Sequence, residues 1–356
     1  MTLDCDANAT EPLRPEARAA ILGALDLGGN ASAVHGGGRA ARGVIEGARR
    51  VLAGRWGGEV VFTSGGTEAN ALALHALGRG RRVLLGATEH AAVRAAAPGA
   101  AELPVERDGT LALAALEAAL RDGPPALVCA MAANNETGVL HPLEAIAALC
   151  RAHGALLHVD AVQAARLDAP VPGDSLALSA HKLGGAAGAG ALLVRGGLPV
   201  PPLLAGGGQE RGARGGTEAL APIAGLGAAA AAPYAAARLA ALRDAIEAGA
   251  EGAVVAGRGA PRLPNTALLV LPGLPAETQV IALDLAGVRV SAGAACSSGK
   301  VARSHVLAAM GFGEDAGCGI RVSLPWNAPE DAAERFLHAW RAMRDRLSSR
   351  RARLAM

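Results

Sequence analysis

Of the 34 basic side chains in this 356-residue chain, only Lys182 and Lys300 are primary amines; the others are arginine. A guanidinium stays protonated near neutral pH, so any imine chemistry must fall to one of these two lysines. Lys182 closes the run Ser179-Ala180-His181-Lys182, after an apolar strand-like stretch and before the glycine-rich Gly184–Gly188 segment. A solvated surface lysine is the ordinary alternative. That alternative weakens in a chain whose other basic positions are almost all arginine. Lys300 has no comparable strand-end setting and reads as a solvated loop residue.

Two further groups have chemistry that complements an amine. Thr63-Ser64-Gly65-Gly66-Thr67-Glu68 follows a strand-like run and opens a helix-like one. Glycines there let the backbone approach an anion, and the N–H groups at a helix start bind phosphate. Strand-to-helix turns are also often Gly/Ser/Thr-rich for purely structural reasons. No Gly-Lys-Ser/Thr follows, so this is not a Walker loop, and no early GxGxxG supports a dinucleotide. Asp160, in His158-Val159-Asp160, ends another strand with Gln163 one turn on. It could pair with a protonated heterocyclic nitrogen, or simply cap a helix. A phosphate cradle, an acid for a ring nitrogen and a Schiff-base lysine together describe a pyridoxal phosphate site.

These residues need elements to hold them. Apolar runs at 59–66, 81–90, 126–138, 155–162, 176–182 and 190–195 alternate with helical patterns such as Leu111–Arg121 and Leu143–His153. Short buried strands alternating with helices predict an α/β domain with a mostly parallel sheet. Several strands end in polar residues, and in open α/β sheets ligands collect beyond the carboxyl ends of the strands. Ala219–Ala237 is uncharged and rich in Ala and Gly; it reads as a small-residue core helix rather than a membrane span. A helix at about 235–249 then leads to a second unit of mixed short strands and helices, closed by an amphipathic helix over 328–347.

Composition narrows the function classes. The net charge is +2, which gives no electrostatic reason to expect nucleic acid or an anionic membrane as partner. Three Phe, three Trp and one Tyr leave too few rings for binding by stacked aromatics. Five cysteines without CxxC or metal-like spacing fit a reducing cytoplasm. The acidic start, without an apolar run, is not a signal peptide. Cys129 and Cys150 sit in apolar segments and read as structural. Cys296 instead lies among small residues in Ala292-Gly-Ala-Ala-Cys-Ser-Ser-Gly299, where a thiol can be exposed.

Motifs recur along nearly the whole chain: 6–12 (DANATEP), 30–35 (NASAVH), 63–68 (TSGGTE), 88–90 (TEH), 134–138 (NNETG), 158–163 (HVDAVQ), 179–182 (SAHK), 206–212 (GGGQERG), 214–217 (RGGT) and 291–299 (SAGAACSSG). With these in this order, the chain resembles the class V aminotransferase-like enzymes, specifically cysteine desulfurases of the NifS/IscS type. The resemblance implies a PLP-dependent transferase of fold type I. Its large domain, residues 14–249, would carry a mostly parallel seven-stranded sheet, and residues 1–13 and 250–356 a smaller α+β domain with the cysteine loop.

It also implies roles. Lys182 would hold the cofactor as an imine, and Asp160 would pair with the pyridine nitrogen. Gln163 and Asn135 would face the ring-oxygen side, with Asn135 also near the substrate. His90 would stack on the ring and help move protons; a satisfied structural histidine is the alternative. Gly66, Thr67, Ser179 and His181 would bind the phosphate, and Thr217 would reach it across a homodimer interface. Arg321 would clamp the carboxylate of L-cysteine. Cys296 would attack the substrate sulfur and become a persulfide, passed on to an acceptor protein such as an iron–sulfur scaffold. No metal is expected.

Some features depart from the relatives. The chain lacks the aromatic that many relatives carry before the Leu-Asp pair, with Asp4-Cys5-Asp6-Ala7-Asn8 in its place, and the region from about 238 to 262 is short. The chain also stops soon after its last helix, whereas a longer tail engages the scaffold in relatives. SAGAACSS resembles the subgroup with a long cysteine loop. A selenocysteine lyase, an aminotransferase, or a silent dimeric relative are the alternatives to a desulfurase.

Overall fold

The computed structural model describes residues 2–121, 123–167, 169–293 and 303–354, with side chains as far as 347. After a two-residue strand, β1 (Leu3–Asp4), the chain builds β2 (Glu59–Thr63), β3 (Arg82–Gly86), β4 (Ala101–Leu103), β5 (Ala126–Met131), β6 (Leu156–Asp160), β7 (Ser175–Ser179) and β8 (Gly190–Val194). These last seven form one sheet in the order β2-β8-β7-β6-β5-β3-β4. Only β8 runs antiparallel to its neighbours β2 and β7; β3 to β7 pair in parallel. The mostly parallel seven-stranded sheet expected from the sequence is therefore present.

Its central strands are buried on both faces, as parallel sheets covered by helices must be. In β5 the period-2 alternation of side chains sends Val128 and Ala130 into one core and Leu127 and Cys129 into another. Helices Gly36–Trp56, Leu113–Arg121, Leu143–Ala152 and Leu220–Ala231 cover the first face. Helix Gly66–Leu77 covers the second with Leu72, Leu74 and Leu77.

The remaining strands are β9 (Val254–Ala256), β10 (Thr266–Val270), β11 (Val288–Arg289), β12 (Ser291–Ala292) and β13 (Gly319–Ser323). An antiparallel sheet runs β12-β13-β10-β9, and β1 pairs in parallel with β11. Helices Ala276–Leu285 and Ala332–Leu354 complete this unit around Phe336 and Trp340, whose rings stack at 6.0 Å. Leu3 and Cys5 join the same core.

Three expected helical segments take definite bounds. The helix expected at 235–249 to end the large domain is Ala236–Gly249, and its Leu239 and Ile246 lie in the second core. The last helix starts at Ala332 rather than 328, because Pro329 disfavours helical geometry at Ala328. The Ala-rich stretch is one core helix, Leu220–Ala231, broken from the next helix at Pro233. Among the described residues no single helix is long and apolar enough to cross a membrane.

Candidate active site

Carboxyl ends of the large sheet converge on one pocket of about 300 Å³. From β2 the chain turns through Gly65 into the helix starting at Gly66, which presents Gly66 and Thr67. β3 leads to His90, β5 to Met131, Ala133 and Asn135, β6 to Asp160, Val162 and Gln163, and β7 to Ser179, His181 and Lys182. Asn8, Ala9, Gly293 and Arg321 close it from the second unit and the N-terminal segment. This is the strand-end setting that the sheet topology favours for a ligand.

The glycine at 66 is required by crowding. A Cβ there would come 2.8 Å from Val162 Cγ2 and 3.4 Å from Ser179 Cβ, so only glycine lets the helix start lie against β7. The result is a helix N-terminus facing the pocket beside Ser179 and His181, a polar lining suited to phosphate. Thr10 Oγ1 lies 3.2 Å from His181 Nδ1. Burial, with nearby Lys182, pushes the His181 pKa down to about 4, so its ring is neutral at pH 7.

Lys182 sits in a short 3-10 turn, Ala180–Lys182, directly after β7. Its Nζ donates to the carbonyls of Asn8 at 2.5 Å and Ala9 at 2.9 Å. Asn8 is itself buried and pinned. Its amide donates to Thr266 Oγ1 at 2.9 Å and the Asn135 carbonyl at 3.1 Å, while its carbonyl also accepts from Gln163 Nε2 at 3.0 Å. The N-terminal segment thereby aims the lysine amine.

Asp160 is buried, and its carboxylate accepts from Asn70 Nδ2 at 2.8 Å and the Val162 amide at 3.0 Å. Burial pushes its pKa above the usual carboxylate range, opposed by the Val162 amide, His90, Asn70 and Lys182. A buried acid in a pocket wall whose hydrogen bonds come from neutral donors is suited to a cationic ligand atom. His90 caps helix Ala91–Ala96, with Nδ1 accepting from the Ala92 amide at 3.1 Å. In that tautomer the ring proton is on Nε2.

Arg321, on β13, is 4% exposed. Nη2 donates to Asp6 Oδ1 at 2.7 Å and Nη1 to the Asn135 carbonyl at 3.2 Å. Gly66, Thr67, His90, Asn135, Asp160, Gln163, Ser179, His181, Lys182 and Arg321 all line the one cavity. Thr217 does not: it is exposed and lines a separate recess with Ser64 and Arg214. Cys296 and Lys300 lie outside the described residues, although Gly293, three positions before the cysteine, is part of the pocket wall. Sequence reasoning missed Asn8, Asn70 and Asp6. Asn8 and Asp6 lie in the 6–12 motif, and Asn70 lies two residues beyond the Thr63–Glu68 motif. Among the described residues no His/Cys/Asp/Glu cluster could hold a metal ion.

Comparison with known proteins agrees with this geometry. The aminotransferase class-V pattern matches residues 6–336. A cysteine desulfurase of Cereibacter sphaeroides is 43% identical over 334 residues, covering 86% of each chain. The solved NifS-like protein from Rickettsia africae superposes with a TM-score of 0.89 at 30% identity, over 97% of this chain and 100% of the other. A structure described as SspA in complex with cysteine gives 0.79 at 28% identity, over 91% and 99%. With the family pattern, the sequence relatives and the fold in accord, the chain belongs to the class-V aminotransferase family, among its cysteine desulfurases.

Proposed function

We propose that the pocket holds pyridoxal 5'-phosphate on Lys182 and accepts L-cysteine, giving L-alanine and sulfur carried as a persulfide on Cys296. One observation carries this reading: the Lys182 amine, the buried Asp160 carboxylate and the Gly66 helix start face one cavity of about 300 Å³. Bound there, the cofactor supplies an electron sink for the amino-acid carbon. Gly66, Thr67, Ser179 and His181 would hold the phosphate, and Asp160 the ring nitrogen. Asn135 and Gln163 would face the ring oxygen. His90 presents an imidazole able to stack and to pass a proton at Nε2. Arg321 orients the substrate carboxylate. The relative solved with cysteine supports that amino acid as substrate.

The persulfide on Cys296 would go to a sulfur-acceptor protein, of which an iron–sulfur scaffold is one class. Two protomers would form the working unit, with Thr217 reaching the partner's phosphate. Its exposed position outside this chain's own pocket, and the exposed Leu22, Leu25 and Val34, support that arrangement. The four described cysteines, Cys5, Cys129, Cys150 and Cys318, are buried free thiols, which suits the cytoplasm.

The test is direct. Purified protein supplied with L-cysteine and a reductant should release alanine and sulfide in equal amounts. Cys296→Ala should abolish both, and wild-type rates from that variant would sink the persulfide route. Lys182→Ala should lose the visible absorbance of the bound cofactor. Activity only with selenocysteine would favour the lyase alternative.

A further inference from the structure

From Asn70, which lines the pocket beside Asp160, a line of buried polar groups leads back to His158 and Ser175, which lie outside the pocket lining. Asn70 is 1% exposed, and His158 and Ser175 are fully buried. Asn70 Nδ2 lies 2.8 Å from Asp160 Oδ2, Asn70 Oδ1 lies 2.8 Å from His158 Nε2, and His158 Nδ1 lies 2.8 Å from Ser175 Oγ. Only one assignment of protons satisfies all three contacts. A carboxylate oxygen accepts, so the amide NH2 must face Asp160 and its oxygen must face the imidazole. His158 Nε2 therefore carries the proton and donates, and Nδ1 accepts from the Ser175 hydroxyl. Every member of the chain is neutral.

The elements that create this line are those that build the site. His158 is two residues before Asp160 on β6, so both point to one face of the sheet. Ser175 on β7 is the registered partner of His158. Asn70 sits one turn beyond Gly66, on the same helix whose start faces the phosphate region. The helix thus links the two ends of the proposed cofactor. A cation in place of Asn70 would neutralise Asp160 from behind and remove its reason to bind a protonated ring. A neutral donor steadies the carboxylate and leaves its charge directed at the pocket.

We propose that Asn70 and His158, backed by Ser175, are positioning residues that fix the orientation of the Asp160 carboxylate for a protonated ring nitrogen. The inference rests on the pyridoxal phosphate reading of the pocket. It predicts that Asn70→Ala weakens cofactor retention roughly tenfold, the cost of losing a hydrogen bond to a charged group, and that His158→Phe, which removes a bond to the neutral Asn70 amide, weakens it by roughly threefold. Both also displace the pH midpoint of the bound cofactor's visible band. His158→Gln, whose amide can donate to Asn70 and accept from Ser175, restores both readouts. Because the residues act through one chain, the double variant Asn70→Ala/His158→Phe binds no more weakly than Asn70→Ala alone.

The experiment is equilibrium dialysis of pyridoxal phosphate against wild type and each variant, followed by spectrophotometric pH titration of the loaded proteins. Thermal unfolding of the cofactor-free forms identifies any variant that fails to fold. If Asn70→Ala is such a variant, the comparison of His158→Phe with His158→Gln carries the test. Wild-type affinity and an unchanged midpoint in the variants overturn the inference and leave the site reading intact. A wild-type protein that takes up no pyridoxal phosphate overturns the site reading, and the inference with it.

Discussion

Arg321 is held in place before any substrate arrives, by Asp6 on one arm and the Asn135 carbonyl on another. Its Nε has no hydrogen-bond partner among the described residues. In the proposed role, a planar fork held this way would select a carboxylate by geometry as well as by charge. Arg321→Lys keeps the charge and loses the fork. Its kcat/KM for L-cysteine should fall by roughly tenfold to a hundredfold, mainly through KM, in steady-state assays of alanine formation. A change confined to kcat would place Arg321 elsewhere in the reaction. At this scale the sequence is informative where a side chain follows a recognisable strand: Asp160 and Lys182 are legible from strand-end position, whereas Gln163 and Ser179 stand out only through the family resemblance. Asn8 is not legible, because its grip on Lys182 joins residues 174 positions apart. Asn70 was hidden because an asparagine inside a helical pattern has no local signature, and only the packing of the helix on β6 gives it a partner.

Elements here are fitted to one another through missing side chains. At Gly190, the first residue of β8, a Cβ would lie 2.5 Å from Gly65 C and 2.7 Å from Leu178 O. Both are backbone atoms that cannot rotate away. The antiparallel β8 is therefore the floor on which the Gly65–Gly66 turn rests. Gly190→Ala should destabilise the cofactor-free protein by about 2–3 kcal/mol, as overpacking against rigid neighbours does. It should also weaken pyridoxal phosphate binding by moving the helix start. Thermal unfolding and dialysis check the two effects, and an unshifted melting temperature would show that the turn relaxes freely. Gly66→Ala, meeting Val162 and Ser179 side chains, should act mainly on binding. Most elements were readable from apolar runs, since β5, β7, β8 and β10 are continuous buried stretches. The division between cores was less so. Helix Ala236–Gly249 follows the large-domain helix after a four-residue break, yet packs with Phe336 and Trp340's core. Nothing in its Ala/Arg/Leu pattern says which of two cores it faces. The short β1, β9 and β11 carry too few residues for a period to show.

Across the whole molecule, the N-terminal segment couples the two cores to the site. Asn8 takes a hydrogen bond from Lys182 while its own amide groups reach Ser323 and Thr266 of the second sheet. Global stability and site geometry should therefore change together, and buried titratable groups tie both to pH. His141 and His158 are held neutral, with pKa values of about 4 and about 3 against 6.5 for an exposed imidazole. Burial is the main cause in both, and Asp108 opposes it for His141. Because the folded values are depressed, the unfolded chain takes up protons first as pH falls. The stability contributed by each neutral ring is whole above pH 6.5 and drains away below it, by roughly 2 kcal/mol each between pH 7 and pH 5. Glu89 and Asp160 run the other way, since burial raises their pKa values and the fold takes their protons first. The net acid profile mixes both signs, so a single-site comparison is the clean measurement. His141 Nδ1 accepts from the Leu111 amide at 3.0 Å, a contact that an asparagine oxygen can reproduce. Urea unfolding of the cofactor-free protein should show the stability gap between wild type and His141→Asn changing by roughly 2 kcal/mol from pH 7 to pH 5, against wild type. A gap independent of pH would mean that the His141 ring gains its proton in the folded state as readily as in the unfolded one.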